Sequence, residues 1–210
     1  KYKNLDIEYR YVLQKELNVV HELKSICTVA TNNSYDDLLL LFKSLSIFEP
    51  DIPIYILCDE YINNKINSDR QDIYPNLTII TNETLNKYSN KTREELTELK
   101  IWLDLMAEKC NAVDFALEHC SNTLYLDADI ILFNKLNLNI PYDIPLGVCP
   151  HNILKEKTDI VGYYNAGIIF IADQQINKDW KESVFNIQEE NREKLLNDQI
   201  SIEYLCKKYK

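Results

Sequence analysis

Apolar positions along this chain fall into two periods. Short runs at Ser25-Ile-Cys-Thr-Val-Ala30, Ile52-Pro-Ile-Tyr-Ile-Leu-Cys58 and Leu77-Thr-Ile-Ile80 are too brief for helices and predict buried strands. A fourth run, Asn122 to Leu132, enters two aspartates, Asp127 and Asp129, and then resumes. Leu146-Gly-Val-Cys149 and Tyr163 to Ile171 predict two more strands. Leu38, Leu41, Phe42 and Leu45 recur at helical spacing and predict a helix over Tyr35 to Phe48, with Thr31-Asn-Asn-Ser34 as its cap. Residues 92–120 predict one long helix or two abutting ones, opened by Thr92 and Glu95 as a capping box. Two helical segments close the chain, and Asn197-Asp198-Gln199 opens the last. Residues 1–24 place Ile7, Leu13, Leu17, Val20 and Leu23 among charges, which predicts an amphipathic arm suited to packing or to a homodimer contact.

Strand, helix, strand, strand, helix, strand is the order of a parallel α/β sheet with right-handed crossovers. Ligands of such sheets bind beyond the carboxyl ends of the strands. Ala30-Thr31-Asn32, Asp59 and the Asp-Ala-Asp segment all fall at such ends.

Composition narrows the ligand. The 210 residues carry a net charge of -10, with no Lys/Arg run interleaved with aromatics, which argues against nucleic acid and anionic membrane surfaces. No apolar stretch reaches the length of a membrane span, and no signal-peptide pattern opens the sequence. Cysteines at 27, 58, 110, 120, 149 and 206 form no CxxC pair; Cys27 and Cys58, inside apolar strands, are expected to be buried free thiols. A reducing, cytoplasmic setting is the expectation. Four N-x-S/T sequons, at Asn32, Asn76, Asn82 and Asn90, are read as accidents of an Asn-rich chain. With three glycines and neither GxGxxG nor GxxxxGK[ST], a dinucleotide-binding turn or P-loop is not expected.

Asp127 and Asp129 then dominate. Two carboxylates on one side of a strand end can hold a hard divalent cation and leave positions open for a phosphate-bearing ligand. Val29-Ala-Thr-Asn-Asn-Ser-Tyr35, Leu124-Tyr-Leu-Asp-Ala-Asp-Ile130, Tyr164-Asn-Ala-Gly-Ile168 and Asn197-Asp-Gln199 occur in the order of four motifs of the GT-A glycosyltransferases. The chain resembles the nucleotide-diphospho-sugar transferase group that includes the family-8, glycogenin-like enzymes. That resemblance implies a Rossmann-like, mostly parallel sheet flanked by helices, with a small antiparallel extension after the DxD strand. It implies one domain over 25–210, a nucleotide-binding half at 25–130 and a donor-sugar and acceptor half at 131–210. The family-8 segment HxxGxxKPW, which supplies a third metal ligand and diphosphate contacts, does not occur here.

The resemblance also assigns roles. Asp127 and Asp129 would coordinate Mn²⁺ or Mg²⁺ on the diphosphate of a UDP-sugar, with Ala128 among the nucleotide contacts. Thr31 and Asn33 would meet uracil and ribose, with Ala30 in backbone contact; helix capping is the plainer role for both. Asp59 would reach base or ribose, or serve only the loop. Lys109 would contact donor phosphate or sugar, with Lys100 as its alternative; a solvated helix face is the plain reading of either. Asn165, Ala166 and Gly167 would lie under the sugar, Gly167 leaving room for it. Asp198 and Gln199 would bond its hydroxyls and stabilise positive charge at the anomeric carbon, with Asn165 in the catalytic set; an N-cap is the plain reading of Asp198. His151 reads as a loop histidine or a stray metal ligand.

The implied reaction moves a sugar to an unknown acceptor hydroxyl with retention of configuration. Inversion would need a general base, for which Asp198 is the candidate. Two rivals remain. A haloacid-dehalogenase-like phosphatase also places a DxD at a strand end, though it normally opens that fold. The other is a sugar-nucleotide binder without transfer activity.

Overall fold

The computed structural model describes residues 20–151, 162–190 and 197–209. Within them the strands are β1 (Ile26–Ala30), β2 (Ile54–Cys58), β3 (Ile79–Glu83), β4 (Thr123–Leu126), β5 (Leu146–Pro150) and β6 (Tyr164–Ile171). The helices are α1 (Tyr35–Phe48), α2 (Glu60–Ile73), α3 (Arg93–Glu98), α4 (Trp102–Leu117), α5 (Gln174–Glu190) and α6 (Asn197–Lys208). The strands form one sheet in the order β3-β2-β1-β4-β6-β5. β1, β2, β3 and β4 run parallel, β6 is antiparallel to β4, and β5 is antiparallel to β6. The antiparallel extension therefore begins just after the DxD, as the resemblance implies.

Alternating side chains of the central strands feed two cores. Ile26, Ile54, Ile56, Leu124 and Leu126 face one side, where α1 packs with Leu38, Leu41, Phe42 and Leu45. Cys27, Tyr55, Leu57 and Tyr125 face the other, against α4, α5 and α6. Each of the four α1 side chains is at most 1% exposed, so each contributes about 1.5–3 kcal/mol of apolar burial. Cys27 and Cys58 are buried free thiols as expected, and burial pushes both up to about 12.

Three expectations are corrected, and the choice left open over 92–120 is decided. A helix, α2, separates β2 from β3 where none was expected. Its stretch is polar, with Ile62 and Ile66 turned into the core, too few apolar positions to declare a period. The 92–120 stretch is two helices because α3 ends in a Schellman turn: Lys100 takes φ +60°, its N–H bonds the Thr97 carbonyl, and Ile101 N–H bonds that of Leu96. Residues 1–19 of the expected arm lie outside the described residues, and residues 20–24 are not helical, Val20 bridging antiparallel to Pro141. Finally, no strand resumes after Asp129. Asp127 N–H bonds the Gly167 carbonyl at 2.9 Å, and Ile130 N–H returns to the Asp127 carbonyl at 3.1 Å, closing a turn. The two carboxylates thus project from a turn beyond β4, not from a strand face.

Candidate functional site

A cleft of about 250 Å³ opens at the carboxyl ends of β1 and β4. Val29, Ala30, Thr31, Asn33 and Ser34 line one wall. Lys91, Arg93 and Leu96 form a second, and α4 lays Trp102, Leu105, Met106 and Lys109 along a third. Tyr125 and Asp127 close the floor. The α4 residues are spaced i, i+3, i+4 and i+7, one stripe of the helix. Of the two lysines weighed, Lys109 lines the cleft, whereas Lys100 is exposed in the α3–α4 turn.

Asp127 is the most engaged group in the cleft. Lys109 Nζ lies 3.0 Å from Oδ1 and 3.2 Å from Oδ2, and the Tyr125 hydroxyl donates to Oδ1 at 2.7 Å. Gly167 makes room for this carboxylate: a Cβ there would stand 2.7 Å from Asp127 Oδ2 and 3.0 Å from Asn165 Oδ1. The expected collision with a sugar is therefore preceded by one within the protein. Asn165 Oδ1 in turn accepts Gly167 N–H at 2.7 Å. Asp129 is exposed; the desolvation it suffers and the neighbouring Asp127 carboxylate push its carboxyl above the ordinary value.

The β1 rim is a closed hydrogen-bond clasp. Asn32 Oδ1 accepts Asn90 N–H at 2.7 Å, and Asn33 Nδ2 donates to the Lys91 carbonyl at 2.6 Å. Asp59 is buried, with one oxygen accepting Ile62 N–H at 3.0 Å as the α2 cap and the other accepting Asn32 N–H at 2.8 Å. Asp59 lies outside the cleft lining, so the structure uses it to hold the rim. Thr31 heads the short helical turn that follows, with Ser34 N–H bonding its carbonyl at 2.9 Å. Ala128 and Ala166 bury their methyl groups in the core, which leaves backbone as what each presents.

Outside the cleft lining, β6 and α6 meet. Tyr163 N–H bonds Glu203 Oε1 at 2.6 Å, and a Cβ on Gly162 (φ +91°) would lie 3.6 Å from the Gln199 carbonyl oxygen. Among the described residues, neither Gln199 Oε1 nor His151 Nδ1 at the end of β5, both buried, has a hydrogen-bond partner. Asp198 occupies the second position of α6, and its side chain lies outside what is described.

Known proteins share this architecture. The glycosyltransferase GlyE of Streptococcus pneumoniae TIGR4 superimposes with a TM-score of 0.57 at 16% identity, over 90% of this chain and 44% of that one. Mouse xyloside xylosyltransferase 1 gives 0.54 at 9% identity, over 85% of this chain and 79% of that one. The galactosyltransferase LgtC, solved with donor and acceptor sugar analogs, gives 0.52 at 17% identity, over 84% and 69%. The fold is that of the GT-A glycosyltransferases. No protein-family model matches the sequence, and no curated protein does. The chain spans less than half the length of GlyE.

Within this GT-A fold, sequence reasoning passed over Lys91, Arg93, Trp102, Met106 and Tyr125 as cleft residues. The α4 stripe ending at Lys109 was the available signal for Trp102 and Met106. Arg93 stacks its guanidinium 4.8 Å from the Trp102 ring centre, and Trp102 Nε1 is buried without a partner. Lys91, Arg93 and Lys109 line the same cleft as Asp127 in a chain of net charge -10, a local excess of cations suited to an anionic ligand.

The residues present also fit a divalent cation. Asp127 and Asp129 are hard oxygen donors close enough for one to perturb the other. No group of three His, Cys, Asp or Glu side chains gathers among the described residues, so further oxygens would come from phosphate and water.

Proposed function

We propose that this protein transfers a sugar from a nucleotide-diphosphate donor, UDP-linked, to an acceptor hydroxyl, with retention of configuration. The observation that carries the reading is the pairing of a cation-rich cleft with the Asp127-Ala-Asp129 turn at the carboxyl edge of a GT-A sheet. Asp127 and Asp129 hold Mn²⁺ or Mg²⁺, which supplies Lewis-acid stabilisation of the departing diphosphate. Thr31 and Asn33 receive the nucleoside on the rigid β1 rim. Lys109 neutralises phosphate charge from a buried position.

Asn165, held by its bond to Gly167 N–H, borders the sugar beside the carboxylates. The unmet Gln199 Oε1 accepts a sugar hydroxyl, and Asp198 on the same helical turn stabilises positive charge at the anomeric carbon. Attack by the acceptor on the face the diphosphate leaves retains configuration without a committed protein nucleophile.

Calorimetric titration with UDP, with and without Mn²⁺, tests the site. The wild type is expected to bind UDP more tightly with Mn²⁺, and Asp127→Asn to lose that gain, about a hundredfold or 2.7 kcal/mol. Equal affinity in the two proteins would remove the cation assignment. Hydrolysis or transfer from a panel of UDP-sugars then separates an enzyme from a binder. Hydrolysis of para-nitrophenyl phosphate that disappears in Asp127→Ala would instead support the phosphatase chemistry.

A further inference from the structure

Tyr125 reaches from the buried core to the floor of the cleft. Its ring is 1% exposed and packs edge-on against the buried Trp180, 6.5 Å between ring centres. The Lys109 ammonium lies over the same ring, 5.5 Å from its centre. Trp180 is fastened in turn, its Nε1 donating to Ser201 Oγ at 2.8 Å. A ring packed in this way leaves one place for its hydroxyl. That place is 2.7 Å from Asp127 Oδ1, to which the hydroxyl donates.

This bond makes the two oxygens of Asp127 unequal. Oδ1 accepts the Tyr125 hydroxyl and lies 3.0 Å from Lys109 Nζ. Oδ2 has the longer lysine contact, 3.2 Å, and borders the space that Gly167 leaves by having no side chain. A carboxylate offers about four lone-pair sites, so Oδ2 keeps capacity for a cation. Lys109 by itself selects neither oxygen, because an ammonium is a compact point charge that here touches both. A phenol donates along one direction, and it is the group that fixes the carboxylate's orientation.

We propose that Tyr125 is a positioning residue for the cation site. Its hydroxyl holds Asp127 Oδ1, so that Oδ2 is the oxygen offered to Mn²⁺ or Mg²⁺. The role rests on the cation reading given above. Without the hydroxyl, the carboxylate turns about its soft terminal torsion onto Lys109 and presents neither oxygen cleanly. Hydrogen-bond partners of metal ligands typically carry a ten- to hundredfold share of metal affinity.

The test measures Mn²⁺ affinity on the full chain by loss of the free-ion electron paramagnetic resonance signal, below the melting transition of every protein compared. Tyr125→Phe keeps the ring and loses only the hydroxyl. Tyr55→Phe is the control: Tyr55 packs in the same core, its hydroxyl 3.6 Å from Cys120 Sγ, and lies outside the cleft lining. Tyr125→Phe is expected to bind Mn²⁺ about ten- to a hundredfold more weakly than the wild type, and Tyr55→Phe to bind it equally well. If thermal melts show Tyr125→Phe unfolded, the titrations are repeated in sucrose, which favours the folded state.

Unchanged or tighter Mn²⁺ binding in Tyr125→Phe overturns the proposal and leaves the cation reading standing. Equal losses in Tyr125→Phe and Tyr55→Phe also overturn it, because the cause is then general stability. Absence of Mn²⁺ binding by the wild type overturns the cation reading and this role together.

Discussion

The two rims of the sheet's carboxyl edge are built on opposite principles. On the parallel-strand side, polar groups spend their hydrogen bonds on one another. Asn32, Asn33, Ser89, Asn90 and Asp59 tie three loops into a clasp, and the Cys58 carbonyl accepts both Thr84 and Leu85 N–H. On the antiparallel side, Gln199 Oε1 and His151 Nδ1 are buried and have no hydrogen-bond partner among the described residues. A buried polar atom without a partner costs about 1–3 kcal/mol. The comparison teaches that one rim closes its hydrogen bonds within the protein, while the other leaves two polar atoms without a partner among the described residues.

The largest expected effect tests the rigid rim. Asp59→Ala removes both the α2 cap and the Asn32 tie, and is expected to cost about 3 kcal/mol of stability in thermal or urea unfolding. A loss below about 0.5 kcal/mol would mean that the clasp does not hold the rim. Gly167→Ala comes next. Its methyl would crowd Asp127 and Asn165, costing about 2 kcal/mol and weakening UDP binding in the presence of Mn²⁺. Unaltered UDP affinity would show that Asp127 tolerates displacement.

Asp179 secures the other rim from behind. The bonds from Lys208 and Tyr209, and a third from Gln175, hold its carboxyl down at about 2, while Trp180 Nε1 bonds Ser201 at 2.8 Å. Together they fasten α6, which carries Gln199, onto α5. A depressed carboxyl contributes stability above its unfolded value of 3.8 and loses it as pH falls toward about 2. Asp179→Asn should therefore cost about 1.5 kcal/mol near neutral pH, and its melting-temperature deficit should shrink in melts taken progressively below pH 4. A deficit constant with pH would remove the ionic account.

The smallest effect on stability sharpens the contrast most. Gln199→Ala should change unfolding by less than about 0.5 kcal/mol, because its Oε1 holds no hydrogen bond among the described residues. It should nonetheless weaken binding of a UDP-sugar relative to UDP in paired titrations. A stability loss as large as that of Asp59→Ala would erase the difference between the rims.

Much of the fold was legible in the sequence because its strands are fully buried. Ile54–Cys58 and Thr123–Leu126 turn no side to solvent, so their runs read as apolar without interruption. The α1 face was legible for the matching reason, four inward residues at helical spacing. α2 escaped notice because polar residues dominate a helix packed at the margin of the sheet, where β3 is the outer strand. The sequence left the α3–α4 break as one of two readings, since Lys100 adopts a left-handed conformation that glycine ordinarily marks.

By itself, the sequence determined the mostly parallel sheet and the positions of its carboxyl ends, because burial writes hydrophobic periods directly into the chain. It also set Ala30-Thr31-Asn32, Asp59 and Asp127-Ala-Asp129 at those ends, and left Lys109 and Lys100 as alternatives. Tertiary structure alone decided that Lys109 faces Asp127 across 18 residues, that Asp59 holds a rim, and that Gly167 shelters a carboxylate. The physical reason is that hydrogen bonds and steric gaps between distant segments depend on how helices seat on the sheet. No local period records that seating.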